Sequence, residues 1–262
     1  MLLALDTSTA YASVALADGE TILADLTWRV ENRHSVELLP RAQEIMRALR
    51  VTPDQLDTIV VALGPGSFNG VRAGVATAKG LAVALGAAVV GVPTLDIIAW
   101  GARLAPGEVW ALLDAGRGEV YAAAYDPTDA SPETWEPRAL AAEPETEPSP
   151  YHILTPTALA ALVSDGATLV GESRPPLAAA ITAALDGRAR LAPQEPRRGA
   201  WLAALGMARL RAGRAETAET LEPLYMRRPA ITRSSRPDIV GLSGSIAEDG
   251  AGAEDRGKRL AL

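Results

Sequence analysis

At 262 residues, 48% of them apolar, the chain is long enough for one large domain or two modest lobes with a full core. Aromatics make up only 4% and the formal charge is −7. The core is therefore expected from Leu, Val, Ile and Ala, and the charge argues against unaided binding of a polyanion, which rests on Lys and Arg neutralising phosphates. The absence of cysteine and the presence of two histidines, His34 and His152, exclude a disulfide framework, a thiolate metal site and a histidine-rich metal centre.

Residues 1–5 read as a buried strand, residues 6–9 (DTST) as a polar turn, and residues 11–17 as a second strand. The start, MLLALDTST, is too short and insufficiently basic for a signal peptide, and no run approaches the ~20 apolar residues of a membrane helix. The cytoplasm is the default location. Asp18-Gly19 is a hairpin signal leading to a strand over 21–30. From His34 to Arg50, Leu38, Leu39, Ala42, Ile45, Met46 and Leu49 fall on one helical face. A β-branched strand over 58–63 precedes the loop GPGSFNGVRAG (64–74), then come a helix over 71–85, a strand over 88–92 and a helix over 94–104. Strands are expected again at 109–113 and 119–125, and a Pro/Glu/Thr-rich solvated excursion at 126–150. Helices over 157–163 and 176–185 flank a strand at 168–170, and a last helix covers 200–212. These elements divide into lobes 1–105 and 106–230, with a polar, disordered tail expected over 231–262.

Two stretches echo one another. LLALDTSTAYASVALAD (2–18) and WALLDAGRGEVYAAAYD (110–126) each run apolar strand, Asp, small polar turn, second strand, Asp. The similarity is either fortuitous or a duplicated unit, one per lobe. If duplicated, Asp6 with Ser8 and Thr9, facing Asp114 with Gly116 and Gly118, could clamp nucleotide phosphates through turn N–H groups and a hydrated cation, with Arg117 a further candidate in the same turn. Alternatively, these aspartates only cap their turns.

The glycine loop lacks the Gly-Lys-Ser/Thr ending of a P-loop and is not a G-x-G-x-x-G fingerprint. Ser67 or Asn69 could cap the following helix, and Arg72 in its first turn could meet an acidic group. Gly70, Gly74 and Ala78 recur every four residues. Each helical glycine costs ~1 kcal/mol relative to Ala, so close packing should compensate, either inside the protein or against a partner.

ALDTST, RHSVELLP, LGPGSFNGVRAGVATAKGLA, GVPTLD, LLDAGRGEVYAAAY and EPLYMRRPA occur in this order, and over about residues 1–230 the chain resembles the TsaB (YeaZ) family. The resemblance implies an α/β fold of two duplicated actin-like (ASKHA, ribonuclease H-like) lobes, mixed sheets flanked by helices. It implies a non-catalytic role in making tRNA N6-threonylcarbamoyladenosine, as a partner of the transferase TsaD with the ATPase TsaE, or as a homodimer through the same helices, with tRNA met only indirectly. The partner surface implied includes His34, Glu37, Leu38, Arg41, Ser67, Asn69, Arg72, Gly74 and Ala78. No intrinsic cofactor is expected, ATP or ADP with magnesium belonging to the interface of the assembled complex. The H-x-x-x-H metal motif of TsaD is absent, since Glu37 and Leu38 follow His34-Ser35-Val36. Two positions depart from the family pattern, Asn69 in place of Thr and Gly116 in place of Arg. The alternative function is a stand-alone kinase or ATPase of the same superfamily, with 170–173 (VGES) as the adenosine turn. A metallopeptidase is disfavoured by the histidine count.

Overall fold

The computed structural model describes residues 1–30, 34–129, 131–139, 149–192 and 198–227; the tail expected at 231–262 lies outside them. The chain begins with β1 (Leu2–Asp6), β2 (Tyr11–Asp18) and β3 (Thr21–Arg29), an antiparallel meander. There follow α1 (His34–Ala48), β4 (Thr58–Ala62), α2 (Phe68–Leu85), β5 (Ala88–Val92) and α3 (Thr94–Gly101). β4 joins β1 in parallel and β5 joins β4, giving the order β3-β2-β1-β4-β5. β4 (TIVVA) is buried throughout, as a parallel strand covered on both faces must be.

The second half repeats this plan. β6 (Val109–Gly116), β7 (Glu119–Tyr125) and β8 (His152–Leu154) form the meander, then α4 (Pro156–Leu162), β9 (Thr168–Glu172), α5 (Pro175–Leu185), β10 (Arg190–Leu191) and α6 (Gly199–Arg211) complete it. The order β10-β9-β6-β7-β8, with β9 parallel to β6 and β10 to β9, matches the first sheet strand for strand. The echo between 2–18 and 110–126 is thus the sequence trace of a duplicated unit.

Three apolar clusters hold the layers. α1 and α2 cover the outer face of the first sheet through Leu38, Ile45, Val71, Val75 and Ala78, packed on Leu3, Leu5, Val14 and Leu16. α4 and α5 cover the outer face of the second. α3 and α6 lie between the sheets in one continuous core. α3 follows the first sheet in sequence but packs on β6 and β9, whereas α6 follows the second and packs on β1 and β2. Each half therefore lends a helix to the other half's sheet, and the expected boundary near residue 105 crosses an unbroken core.

The reading of 126–150 as a solvated excursion needs correcting for its described part. Trp135 is buried in the central core, stacked on Tyr125 with ring centres 5.3 Å apart and edge-on to Trp100 at 5.2 Å. Its Nε1 donates to the Asp96 carbonyl at 3.2 Å. One large ring outweighs the polar composition around it, because an indole buries more apolar area than any of its neighbours. β8 and β10, three and two residues long, are too short to show a period.

Polar ties also cross the core. The buried Asp96 accepts from Tyr125 Oη at 2.7 Å, Tyr151 Oη at 2.8 Å and Arg209 Nη2 at 2.6 Å. Burial pushes its carboxyl up to about 6, against the pull of Arg209 and the two tyrosines. Past α6, Gly91 N donates to Glu216 Oε2 at 2.7 Å and Leu224 N to the Leu63 carbonyl at 2.8 Å. Arg227 then reaches the β6–β7 turn, donating to the Ala115 carbonyl at 3.1 Å and pairing with Glu119. This strap runs from the edge of the first sheet to the second. Among the described residues no helix is long and apolar enough to cross a membrane.

Candidate functional site

The C-terminal end of β1 delivers Asp6 into a tight turn. Asp6 Oδ1 accepts from Ser8 N at 2.8 Å and Ser8 Oγ at 2.6 Å, the self-capping for which Asp is favoured in turns. The glycine loop packs directly against this turn. Ser67 N donates to the Ser8 carbonyl at 2.7 Å, and Thr7 Oγ1 donates to the Gly70 carbonyl at 2.7 Å. A Cβ at Gly66 would collide with the Ser8 carbonyl and one at Gly70 with the Thr7 carbonyl, and one at Gly74 would lie 2.5 Å from Thr7 Oγ1. Gly66, Gly70 and Gly74 of this loop therefore let the start of α2 press onto the β1–β2 turn. Ser67 is the N-cap, its Oγ accepting from Gly70 N at 3.3 Å; Asn69 is exposed within the first turn.

The second half carries the same device. Asp114 Oδ1 accepts from Gly116 N at 2.7 Å, and Gly116, Arg117 and Gly118 all turn through positive φ, at 73°, 57° and 79°. Glycine at 116 suits that conformation. Arg174 donates to Asp114 through Nε at 2.6 Å and Nη2 at 3.2 Å, and this holds the Asp114 carboxyl below the usual carboxylate range.

The two turns face one another across a cavity of about 230 Å³ lined by Ser8, Thr9, Gly66, Ser67, Asp114 and Glu172. Thr9 Oγ1 donates across it to Glu172 Oε1 at 2.7 Å. Behind lies Arg198, 2% exposed, pairing through Nη2 with Glu172 and standing with Nη1 3.8 Å from Asp6 Oδ2. The fully buried Asp6 and the largely buried Glu172 thus share one guanidinium.

This arrangement limits the chemistry. The N–H groups of Ser8, Ser67 and Gly116 are bonded within the protein, and the charged residues lining the cavity are the carboxylates Asp114 and Glu172. An entering phosphate would meet two carboxylates already paired with Arg174 and Arg198, in a space below the roughly 300–1,000 Å³ of ordinary ligand pockets. Among the described residues no group of three His, Asp or Glu is placed to hold a metal ion. Ser8, Thr9 and Asp114 are brought together as the sequence suggested. Asp6 lies behind the cavity, and Gly116 and Arg117 sit on the β6–β7 turn outside its lining. Glu172, Arg174 and Arg198 do not stand out as charged partners in the sequence, because nothing local marks a residue whose partner is far along the chain.

The candidate partner residues divide. Leu38, Gly74 and Ala78 face inward and are buried, which corrects their assignment to an outer surface: Leu38 fills the core under α1, and the other two sit on α2's inner stripe, Gly74 against the β1–β2 turn. Glu37 is half-buried and accepts from Trp28 Nε1 at 2.9 Å, Arg41 pairs with Glu44 on the surface, and Ser67, Asn69 and Arg72 are exposed. His34 opens α1; its side chain lies outside the described residues. The outer face of the helix pair carries Val36, 59% exposed, and Leu39 on α1, with Ala76, Gly80 and Val83, the last 71% exposed, on α2. At the start of α2, Phe68 and Tyr225 lie 5.6 Å apart, with the Arg72 guanidinium over the Phe68 ring.

The duplicated mixed sheets, the exchanged central helices and the paired strand-end aspartates define a two-lobed actin-like protein. Its structure superposes on YeaZ from Pseudomonas aeruginosa with a TM-score of 0.65, covering 85% of this chain and 99% of that one at 26% identity. Residues 28–140 match the family described as TsaD, tRNA N6-adenosine threonylcarbamoyltransferase. The tRNA threonylcarbamoyladenosine biosynthesis protein TsaB of Bacillus subtilis (strain 168) is 36% identical over 124 residues, 47% of this chain and 54% of the relative. That of Escherichia coli (strain K12) is 37% identical over 126 residues, with the same coverage. The chain spans about half the length of these curated relatives. It is similar to proteins of the TsaB (YeaZ) family over these spans.

Proposed function

We propose that the chain is a non-catalytic partner subunit in the synthesis of tRNA N6-threonylcarbamoyladenosine, docking through its α1–α2 face onto a TsaD-type transferase, with a TsaE-type ATPase joining the pair. Similarity to TsaB proteins supports the process. The observation that carries the role is the outer side of α1 and α2, where Val36, Leu39 and Val83 stand exposed without a described covering element, among charged residues such as Arg41 and Arg72. Large apolar side chains left uncovered on a helix pair suit an association surface. The strand-end cavity favours no catalysis of its own, since its turn donors are committed and its carboxylates are neutralised from within. Bound ATP or ADP with magnesium would then belong to the interface of the assembled complex, and tRNA would be met chiefly through the partner. The same face would serve self-association when no transferase is present.

The test mixes the full chain with TsaD from the same organism and reads mass by light scattering. A stable heterodimer that Val83→Glu abolishes is expected. Should no complex form, with or without ATP and TsaE, the partner-subunit role is wrong. Saturable MgATP binding by the chain alone, read by calorimetry, would favour a stand-alone kinase or ATPase instead.

A further inference from the structure

Four buried side-chain atoms have no hydrogen-bond partner among the described residues and gather on one face of the first sheet: Asp6 Oδ2, Ser13 Oγ, Thr27 Oγ1 and Arg198 Nη1. Asp6, Ser13 and Arg198 are each at most 2% exposed. The strand register puts three of the four in a row. Asp6 on β1 lies opposite Ser13 on β2, and Ser13 lies opposite Thr27 on β3. Opposed residues of antiparallel strands share a face, with Cβ atoms roughly 4.5–5.5 Å apart. Leaving such groups unpaired in the interior is costly.

The head of α6 brings Arg198 over this row. Ala15 and Asp25 are the next opposed pair on the same face, and Gly199 rests on them: a Cβ there would lie 2.6 Å from Asp25 Oδ1 and 3.1 Å from Ala15 Cβ. Asp25 Oδ2 accepts from Ala200 N at 3.0 Å, which pins the helix start. Arg198, one residue earlier, then places Nη1 3.8 Å from Asp6 Oδ2. That is too long for a direct hydrogen bond, and it suits a single oxygen lying about 2.8 Å from each atom. Neither side chain is free to close the gap. Asp6 Oδ1 is engaged by Ser8 N and Ser8 Oγ, and Arg198 Nη2 by Glu172.

We propose that a buried water molecule bridges Asp6 Oδ2, Arg198 Nη1 and Ser13 Oγ, joining the head of α6 to the first sheet. The site calls for a donor and an acceptor at once. Water accepts from Arg198 Nη1 and donates to Asp6 Oδ2 and to Ser13 Oγ, leaving the Ser13 proton for the Thr27 side of the row. Three hydrogen bonds are what an internal water commonly makes. A cation here would face the guanidinium N–H, and an anion would face the carboxylate, so a neutral molecule of this size is the occupant that offends neither. The link between α6 and the sheet it covers is thereby hydrated rather than a direct ion pair. The site does not depend on the role proposed for the α1–α2 face.

Two measurements on the full chain test this. In crystals that resolve ordered water, one density peak is expected about 2.6–3.2 Å from all three atoms. In solution, water oxygen-17 relaxation dispersion counts the internal waters held for longer than the protein takes to tumble. Ser13→Val, which exchanges the hydroxyl for two methyl groups, should lower that count by one. Thr182→Val, exposed on α5, should leave it unchanged. The crystal readout needs no variant, so it decides even where Ser13→Val fails to fold. A direct Asp6–Arg198 contact with no peak between them, a peak held below about 2.5 Å as around a metal ion, or an undiminished count in folded Ser13→Val would each overturn the assignment.

Discussion

Arg198→Met removes the buried guanidinium while keeping the length of the side chain. It leaves Asp6, 0% exposed, with Oδ2 unbonded and facing no cation, and it frees Glu172 from its partner. Breaking a buried pair from one side costs about 3–5 kcal/mol, because the remaining charge stays desolvated. No allowance for solvent screening applies, since Asp6 and Arg198 are both buried. For a folded body of this size, 1 kcal/mol corresponds to about 2–4 °C, so Tm should fall by roughly 6–20 °C. Calorimetry on the single variants and on the Asp6→Asn/Arg198→Met pair provides the check. Asn can still accept from Ser8 N, so Asp6→Asn retains the turn. The double variant should lose less than the sum of the singles by about 0.5–3 kcal/mol. A Tm within about 2 °C of the unaltered chain for Arg198→Met, or strict additivity in the pair, would refute the view that this guanidinium neutralises the strand-end carboxylates.

Gly74→Glu should destabilise the fold by on the order of 3 kcal/mol in urea unfolding, because its Cβ would sit 2.5 Å from Thr7 Oγ1, while Val83→Glu, on the outer face, should change stability by no more than about 0.5 kcal/mol. Asp96 holds its proton in the folded chain up to about pH 6, but the ordinary carboxyl value is 3.8. The folded state therefore binds more protons between those values, and this group's contribution to stability falls as pH rises through the window, by about 3 kcal/mol in all. Thermal melts from pH 4 to 6 on Asp96→Asn should lack that component. Asp114, held low by Arg174, acts in the opposite sense: its contribution is present above the usual carboxylate range and is lost as pH falls. Trp135→Ala should cost about 3–5 kcal/mol, read as a lower urea midpoint at unchanged slope, because it empties the central core rather than trimming a loop.

The elements with a clear helical period or an unbroken β-branched run were legible in the sequence. α1 carries its apolar residues at helical spacing, and β4 is a β-branched run bounded by turn residues, so both lie close to where period and composition place them. The duplicated hairpins were visible because each half still needs an Asp at the same point of the same turn. The positions of α3 and α6 were not visible. Both are covered on two sides: α3 (TLDIIAWG) is buried over nearly its whole length, and α6 is buried or half-buried from Gly199 to Leu210, so neither presents a single stripe to reveal which sheet it meets. Arg198 lies far from both Asp6 and Glu172 along the chain, so no local pattern unites them. The glycine loop was half legible. Its demand for close approach could be read, but the approaching surface proved to be the β1–β2 turn rather than another molecule, and this moved Gly74 and Ala78 from the outside to the inside.

The two halves satisfy their strand-end aspartates differently. Both strand-end aspartates capture the N–H two residues on, yet each receives its cation from a different source. Asp114 takes Arg174 from the start of the neighbouring helix in its own half, whereas Asp6 takes Arg198, which the other half delivers at the head of α6. That cross-lobe delivery, the Thr9–Glu172 bond, the Asp96 network and the strap ending at Arg227 all tie one half to the other. Enzymes that close a cleft around substrate need such ties to break and re-form during turnover. A docking subunit gains from the reverse, because a surface already held in its bound shape loses less freedom on association. Ties of this kind hold still the sheet on which α1 and α2 are mounted. If they serve that end, loosening them with Arg198→Met should weaken binding of the transferase even though Arg198 is buried well away from the α1–α2 face; an affinity unchanged at a temperature where the variant remains folded would separate the ties from the docking role.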